Sequence, residues 1–222
     1  MKILSLKAKQ VKELVAFGLN DLFVQEGFVY KKTLNQFEKK QGDYTSIFNI
    51  LITAWSNHFS IDVRLYISQT EIENIYERIV KKSQRLTIGN SIERIFGSPD
   101  GREVVNANMV INLYFDEDVE AAVESLENYY TKIAKPYFDK YQTLESIDDI
   151  INHPPFENNP AHVGGIFATR CMKGLIVARL VNNPSYENLV TTYDEAIKET
   201  MNTESIENYY KVKEYLMYNR IK

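Results

Sequence analysis

Acidic side chains are the first residues in this sequence whose types and spacing could support chemistry. Glu71 and Glu73 stand two residues apart, and Asp116, Glu117 and Asp118 are consecutive. Two carboxyl groups in a shared environment can differ in pKa, so that one donates a proton while the other accepts one, as hydrolysis requires. Both groups also fall at predicted helix starts, where negative charge interacts favourably with the helix dipole. A catalytic and a structural interpretation are therefore both open.

The three histidines and the single cysteine are the other candidate reactive groups. His58 falls in a predicted hairpin, His153 in a proline-rich segment and His162 just before a helix. Their spacing matches no rigid helical or finger pattern of metal ligands, so no metal site is predicted. Cys171 lies in the most apolar helical stretch, which is typical of a buried, unreactive thiol rather than a nucleophile paired with His162. The chain also has no Gly-x-Gly-x-x-Gly and no Gly-Lys-Ser/Thr motif, and no cofactor is predicted.

Alternation of apolar and polar residues predicts a sheet whose two faces differ. Residues 44–55 and 59–68 alternate, and the connection at residues 56–58 predicts an antiparallel hairpin between them. Further strands are predicted at residues 28–32, 36–40 and 104–115. Because successive side chains of a strand point to opposite faces, the second hairpin strand has one wholly apolar face and one polar, aromatic face. We expect the apolar face to pack under helices and the other to stay at least partly in water.

The polar, aromatic face of this sheet holds the candidate binding residues. They are Trp55, Asp62, Arg64, Tyr66, Asn108, Asn112 and Tyr114, with Asn49 and Thr53 beside them. Tryptophan, tyrosine and arginine provide large amphipathic contact areas, and asparagine supplies donors and acceptors, a mixture that suits recognition of a ligand or a protein. The alternative is a solvated sheet face on which Asp62 and Arg64 make cross-strand pairs.

Helical periodicity completes an α+β architecture, a mostly antiparallel sheet with helices packed on one face. Apolar residues recur at helical spacing in residues 6–23, 70–82, 116–133, 163–181, 186–201 and 204–218. Gly27 is the predicted stop of the first helix, and the third is predicted to end shortly before Pro136. We expect residues 1–152 to form an α+β sheet domain, residues 153–162 a Pro-rich linker, and residues 163–222 a helical subdomain packed on the sheet domain.

Composition places the chain among ordinary folded proteins. Its 222 residues are 44% hydrophobic and carry a net charge of −4, with acidic residues concentrated between residues 61 and 160. The chain lacks the strong positive field that nucleic acid or an anionic membrane attracts, so neither is an expected partner. No stretch is long and apolar enough to span a membrane, and the lysine-interrupted start lacks the apolar run of a signal peptide. The expected location is the cytoplasm.

Two short segments give the sequence a resemblance to a known family. An early helix stops at Gly27-Phe28, and a later strand ends in Asn112-Leu-Tyr-Phe-Asp-Glu-Asp118 before an acidic helix and Lys135-Pro-Tyr-Phe-Asp-Lys-Tyr141. Over about residues 6–151 this order resembles small bacterial α+β proteins known only as a domain of unknown function. The resemblance implies a bacterial source and an α+β fold. It implies no catalytic residue, because the family has no established activity.

The sequence predicts a non-enzymatic binding or protein-interaction protein of the bacterial cytoplasm, for example one that neutralises a toxin. Its predicted contact surface is the polar, aromatic sheet face, and its partner is another protein or a small ligand. One alternative is a hydrolase that uses the scattered carboxylates with His58 or His162. A second alternative is a self-associating structural component, and the oligomeric state is left open.

Overall fold

The chain folds, as predicted, into an antiparallel sheet with helices, an α+β architecture with a helical C-terminal region. A computed structural model describes residues 6–81, 85–98, 108–152, 163, 167–199 and 202–219. The strands are β1 (Val29–Lys31), β2 (Gln36–Gln41), β3 (Tyr44–Ala54), β4 (Phe59–Gln69), β5 (Ile88–Ser91) and β6 (Ile111–Leu113). The helices are α1 (Ala8–Gln25), α2 (Thr70–Val80), α3 (Ile92–Phe96), α4 (Asp118–Tyr129), α5 (Lys135–Lys140), α6 (Leu144–Asn152), α7 (Phe167–Leu180), α8 (Tyr186–Ile197) and α9 (Thr203–Tyr218).

The centre of the sheet is the predicted hairpin of β3 and β4. The two strands pair antiparallel along their whole length, from Tyr44 opposite Gln69 to the turn. The turn is closed by the Trp55 amide, which donates to the His58 carbonyl at 2.9 Å. β2 and β1 extend the sheet beyond β3, again antiparallel, as the strand-like segments at residues 28–32 and 36–40 predict.

Two short strands share the free edge of β4. β5 pairs with residues 64–67 and β6 with residues 59–61. The alternation over residues 104–115 predicts one long strand here, and among the described residues 108–115 this prediction is wrong in length, since only Ile111–Leu113 form the ladder. The physical reason is that β5 already occupies much of the β4 edge. Asn108 therefore precedes the strand instead of lying on it, and residues 104–107 are outside the described residues.

The apolar face of the sheet packs against α1 and α4. Phe23 of α1 stacks on Phe37 of β2 with 4.2 Å between ring centroids and lies 5.0 Å from Phe48 of β3. Tyr130, which follows α4, completes this cluster at 4.7 Å from Phe23. Burying aromatic rings of this size removes a large apolar area from water and is a main source of stability. The helices thus lie on one face of the sheet, as predicted, and α1 ends just before Gly27.

Pro136 does not end the helix predicted from residue 116. The chain passes from α4 through a π-helical turn, Tyr130–Ala134, directly into α5. Proline lacks a backbone N–H, and its ring clashes with the preceding turn of an α-helix. In a π-helical turn the N–H of residue i+5 donates to the carbonyl of residue i, so the backbone groups pair differently from those of an α-helix. Pro136 then falls in the first turn of α5, where proline is tolerated, and the predicted stop is wrong for that reason.

The C-terminal helices pack against the first part of the chain through α2 and α6. Helix α7 contacts α2, α6 and α9, and its residues 170–178 are all buried. The nearly uniform apolar sequence of α7 predicts this central position. Residues 153–162 lie outside the described residues, so the division into two domains at this linker stays a prediction. None of the helices in the described ranges has the length and apolar character needed to cross a membrane.

A buried ion pair joins α7 to α2. Lys173 Nζ donates to Glu73 Oε1 at 2.7 Å, and the two side chains are 5% and 0% exposed. Thr87 Oγ1 donates to the same carboxylate oxygen at 2.7 Å, and Lys173 also donates to the Leu86 carbonyl at 2.8 Å. Burial lowers the pKa of Lys173, and the attraction of Glu73 only partly offsets that effect. Charge and hydrogen bonds therefore tie three distant segments of the chain together.

Candidate functional site

A groove of about 860 Å³ lies on the outer face of the sheet, opposite the face that α1 covers. Residues of β3 and β4 form its floor, and β5, α3 and β6 line one side. Five of the seven predicted binding residues line this groove: Trp55, Asp62, Arg64, Tyr66 and Asn112. The pleat of β4 explains the grouping, because residues two apart on a strand face the same side. Of the other two, Tyr114 stacks beside the groove and Asn108 does not line it.

One end of the groove is aromatic. The ring of His58 lies between two others, 6.0 Å from Trp55 and 5.1 Å from Tyr114 between centroids, with interplanar angles of 11° and 23°. Trp55 Nε1 donates to Ser60 Oγ at 2.9 Å, which holds the indole beside the start of β4. Trp55 is nevertheless 59% exposed. Because the rings already hold one another in place, a partner that contacts them does not have to order them.

The other end of the groove is charged. Arg64 Nε donates to Asp62 Oδ2 at 3.3 Å. Burial alone would lower the pKa of Arg64, but the interactions with Tyr66 and Asp62 outweigh that effect and raise the pKa. Asp62 and Arg64 therefore pair with each other along one strand, whereas the solvated-face alternative expects cross-strand pairs. This pairing orients a guanidinium that is still partly open to solvent.

Sequence reasoning missed the wall of the charged end. Ser91 of β5 pairs with Arg64, and the chain then enters α3, so that Glu93 and Arg94 also line the groove. These residues belong to the segment 83–103, whose pattern indicates neither helix nor strand. A four-residue strand is too short to show periodicity, and we find no other local signal for it.

Gly89 allows this wall to lie close to the floor. It pairs with Tyr66 across the ladder and takes a φ of 144°. A Cβ at this position would lie 2.1 Å from the Leu65 carbonyl oxygen and 2.6 Å from the Tyr66 ring. The ring of Tyr66 therefore occupies the space that a side chain at residue 89 would need.

Two of the carboxylates considered for catalysis, Glu73 and Asp118, have structural partners. Glu71 and Glu73 both lie in the first turn of α2, but Glu73 is buried against Lys173. Asp118 Oδ2 accepts the backbone amides of residues 114 and 115 at 2.7 and 2.8 Å. It therefore binds the chain just before α4. These positions agree with the structural interpretation of acids at helix starts.

His58 is the only one of the three histidines that lies within the described residues. His58 lines the groove, where its Nδ1 lies 2.8 Å from Asn57 Oδ1. His153 and His162 are outside the described residues. His162 is one of the two histidines of the hydrolase alternative. The described ranges contain no cluster of three or more His, Cys, Asp or Glu side chains suited to holding a metal ion.

Cys171 is expected to be unreactive in the folded protein. The thiol is fully buried, its Sγ donates to the Phe167 carbonyl at 3.1 Å, and burial raises its pKa to about 12. At pH 8 we expect dithionitrobenzoate to label the native protein at least about a hundredfold more slowly than the urea-unfolded protein, because the thiolate reacts and it must be reached. A labelling time course measures this. Similar rates in both states would contradict the buried position.

A second cleft, of about 460 Å³, lies between α6 and α8. At its base Asp148 accepts Nδ2 donors from Asn152 and Asn183, both at 2.6 Å. Asn152 also accepts the Tyr193 hydroxyl and donates to the Gly174 carbonyl. Burial raises the pKa of Asp148, and the two amide donors limit the rise. These polar groups are hydrogen-bonded to one another, so their contacts account for the packing of α6, α7 and α8 without a ligand.

Likeness to other proteins assigns neither a family nor an activity to this chain. The similarity of residues 6–151 to a domain of unknown function stays a prediction. Comparison of the chain with family models, with curated proteins and with solved structures finds no match.

Proposed function

We propose that this chain is a non-enzymatic binding protein of the bacterial cytoplasm and that it engages another protein through the groove on its outer sheet face. One observation carries the proposal: Trp55, Tyr66 and Arg64 converge in a single groove of about 860 Å³. These residue types dominate the binding energy of protein interfaces. Neutralising a toxin is one function that such an interface would serve.

The chemistry of the groove favours binding over catalysis. Its histidine, His58, is stacked between two rings and hydrogen-bonded to an amide oxygen. Of its two acids, Asp62 and Glu93, the first is engaged by Arg64. A hydrolase needs a nucleophile or water held against a base that a third group orients. Within the described ranges, neither His58 nor Asp62 has such an arrangement.

Replacing Trp55 or Arg64 with alanine is expected to weaken the partner complex by about 30-fold or more, which corresponds to roughly 2 kcal/mol, the usual threshold for an interface hot spot. The tagged chain is first used to isolate the partner from a bacterial lysate. The complex is then rebuilt from purified proteins, and calorimetry measures the affinity of each variant.

Tyr218→Ala is the matched control, because Tyr218 is an exposed aromatic residue of α9 that does not line the groove. It should leave the affinity unchanged. Full affinity in folded W55A and R64A variants would refute the use of this face. If sedimentation shows a dimer of this chain that W55A dissociates, the groove serves self-association, and the proposal of a different protein partner fails.

A further inference from the structure

The two ends of the groove lie at a defined spacing along β4. The Trp55 indole is hydrogen-bonded to Ser60 of β4, and Arg64 lies four residues further along that strand on the same face. At about 3.3 Å per residue, the Cα atoms of Ser60 and Arg64 are about 13 Å apart. An extended peptide has the same rise per residue and also presents alternate side chains on one side. Its residues i and i+4 therefore span the same distance and point the same way.

Arg64, at the charged end, still has donors to offer. A guanidinium carries five N–H donors, and Arg64 uses Nε for Asp62. Its side chain is 45% exposed, so a carboxylate can approach it from solvent. Planar bidentate contacts of this type are the strong, specific form of carboxylate recognition. Arg94 adds a second positive charge to the same end.

We infer that the groove receives an extended segment of the partner protein in which an acidic side chain stands four residues from an aromatic or large apolar one. The acidic group binds Arg64, and the apolar group contacts the Trp55 indole beside Ser60. This inference deepens the proposed function and rests on it. It names the occupant by its chemistry and its spacing.

The charge of Glu93 should affect the binding of an acidic segment in the opposite direction to the charge of Arg64. Glu93 lines the groove next to Arg94, and its negative charge repels an incoming carboxylate. Glu93→Gln should therefore strengthen binding of an acidic segment, whereas Arg64→Gln should weaken it. If Arg64 and Glu93 only supported the fold, removing their charges would not change the affinity in opposite directions.

The test uses synthetic peptides and the fluorescence of Trp55, which is the sole tryptophan in the chain. The probe peptides are acetyl-Phe-Ser-Thr-Ser-Glu-amide and the peptide of reversed order, which place Phe and Glu four residues apart. The controls are acetyl-Phe-Ser-Thr-Glu-Ser-amide, with a three-residue spacing, and the probe with Gln in place of Glu. We expect at least one probe to change Trp55 fluorescence and to bind about tenfold tighter than both controls.

Calorimetry on the full-length variants then assigns the contact. R64Q should weaken binding of the Glu peptide about tenfold and leave binding of the Gln peptide unchanged. E93Q should strengthen binding of the Glu peptide a few-fold. Lys31→Gln removes a positive charge from an exposed residue of β1 that does not line the groove, and it should have no effect.

Equal affinity for the two spacings, or no response to any peptide, would overturn the inference. A response to the neutral oligosaccharide cellohexaose without one to the peptides would also overturn it, and would make the groove a carbohydrate site. If the peptides fail while W55A and R64A still weaken the complex with the isolated partner, the inference fails and the proposed function stands. If those variants leave the complex intact, the proposed function fails.

Discussion

Replacing Lys173 with methionine is expected to lower the free energy of unfolding by about 3–5 kcal/mol. Methionine keeps much of the side-chain volume, but the Glu73 carboxylate, which is 0% exposed, loses its cation. Thr87 still donates a hydrogen bond to it, yet a hydroxyl does not balance a full charge in surroundings of low dielectric constant. Urea unfolding followed by circular dichroism gives the free energy and its denaturant slope.

Two further variants show whether charge or packing causes the loss. The double variant K173M/E73M removes both charges and should recover most of the stability, because no unpaired charge is left in the core. Lys213→Met breaks the Lys213–Asp194 pair, whose side chains are about a quarter exposed, and should cost about 1 kcal/mol or less. A K173M loss no larger than the K213M loss would contradict the burial argument.

Replacing Gly89 with alanine should have the second large effect, a loss of about 3 kcal/mol together with weaker partner binding. The φ of 144° at this residue is costly for any residue with a Cβ. The added Cβ would also meet the Leu65 carbonyl oxygen and the Tyr66 backbone, which are parts of the β4 ladder and cannot swing aside. β5 must then move away from β4 and carry Ser91 and the wall of the groove with it.

Gly42→Ala is the matched control for the glycine prediction. Gly42 also has a positive φ, 59°, but nothing lies within 4 Å of the position where its Cβ would be. Backbone strain alone should cost about 1 kcal/mol, and the groove should bind normally. Thermal unfolding and the peptide titration compare the two variants. Equal losses of stability would show that the close packing around Gly89 is unimportant.

Local pattern is sufficient to predict the β3–β4 hairpin and its two faces. The alternation over residues 59–68 indicates which side chains face the core, because a strand sends successive side chains to opposite faces. This rule alone groups Asp62, Arg64 and Tyr66. The turn at residues 56–58 then brings Trp55 next to the start of the second strand, where the indole bonds Ser60.

Local pattern is insufficient for contacts between distant segments. Glu73 looks like an ordinary acid at a helix start, and its cation Lys173 lies 100 residues away in the chain. Glu93 and Arg94 look like polar residues of an unassigned segment, and only the pairing of β5 with β4 places them at the groove. The helix predicted to end before Pro136 continues, because a π-helical turn places Pro136, which has no backbone N–H, in the first turn of α5.

The sequence by itself determined the elements with strong periodicity, the apolar face of the sheet, and the set of polar and aromatic side chains on its other face. Those properties depend on the backbone geometry of a single strand or helix, and a few neighbouring residues encode them. Only the tertiary structure decided that this face is a groove, that its ends are aromatic and charged, and that Glu73 is buried against Lys173. Concavity and burial depend on which distant segments pack together, and residue spacing along the chain does not encode those contacts.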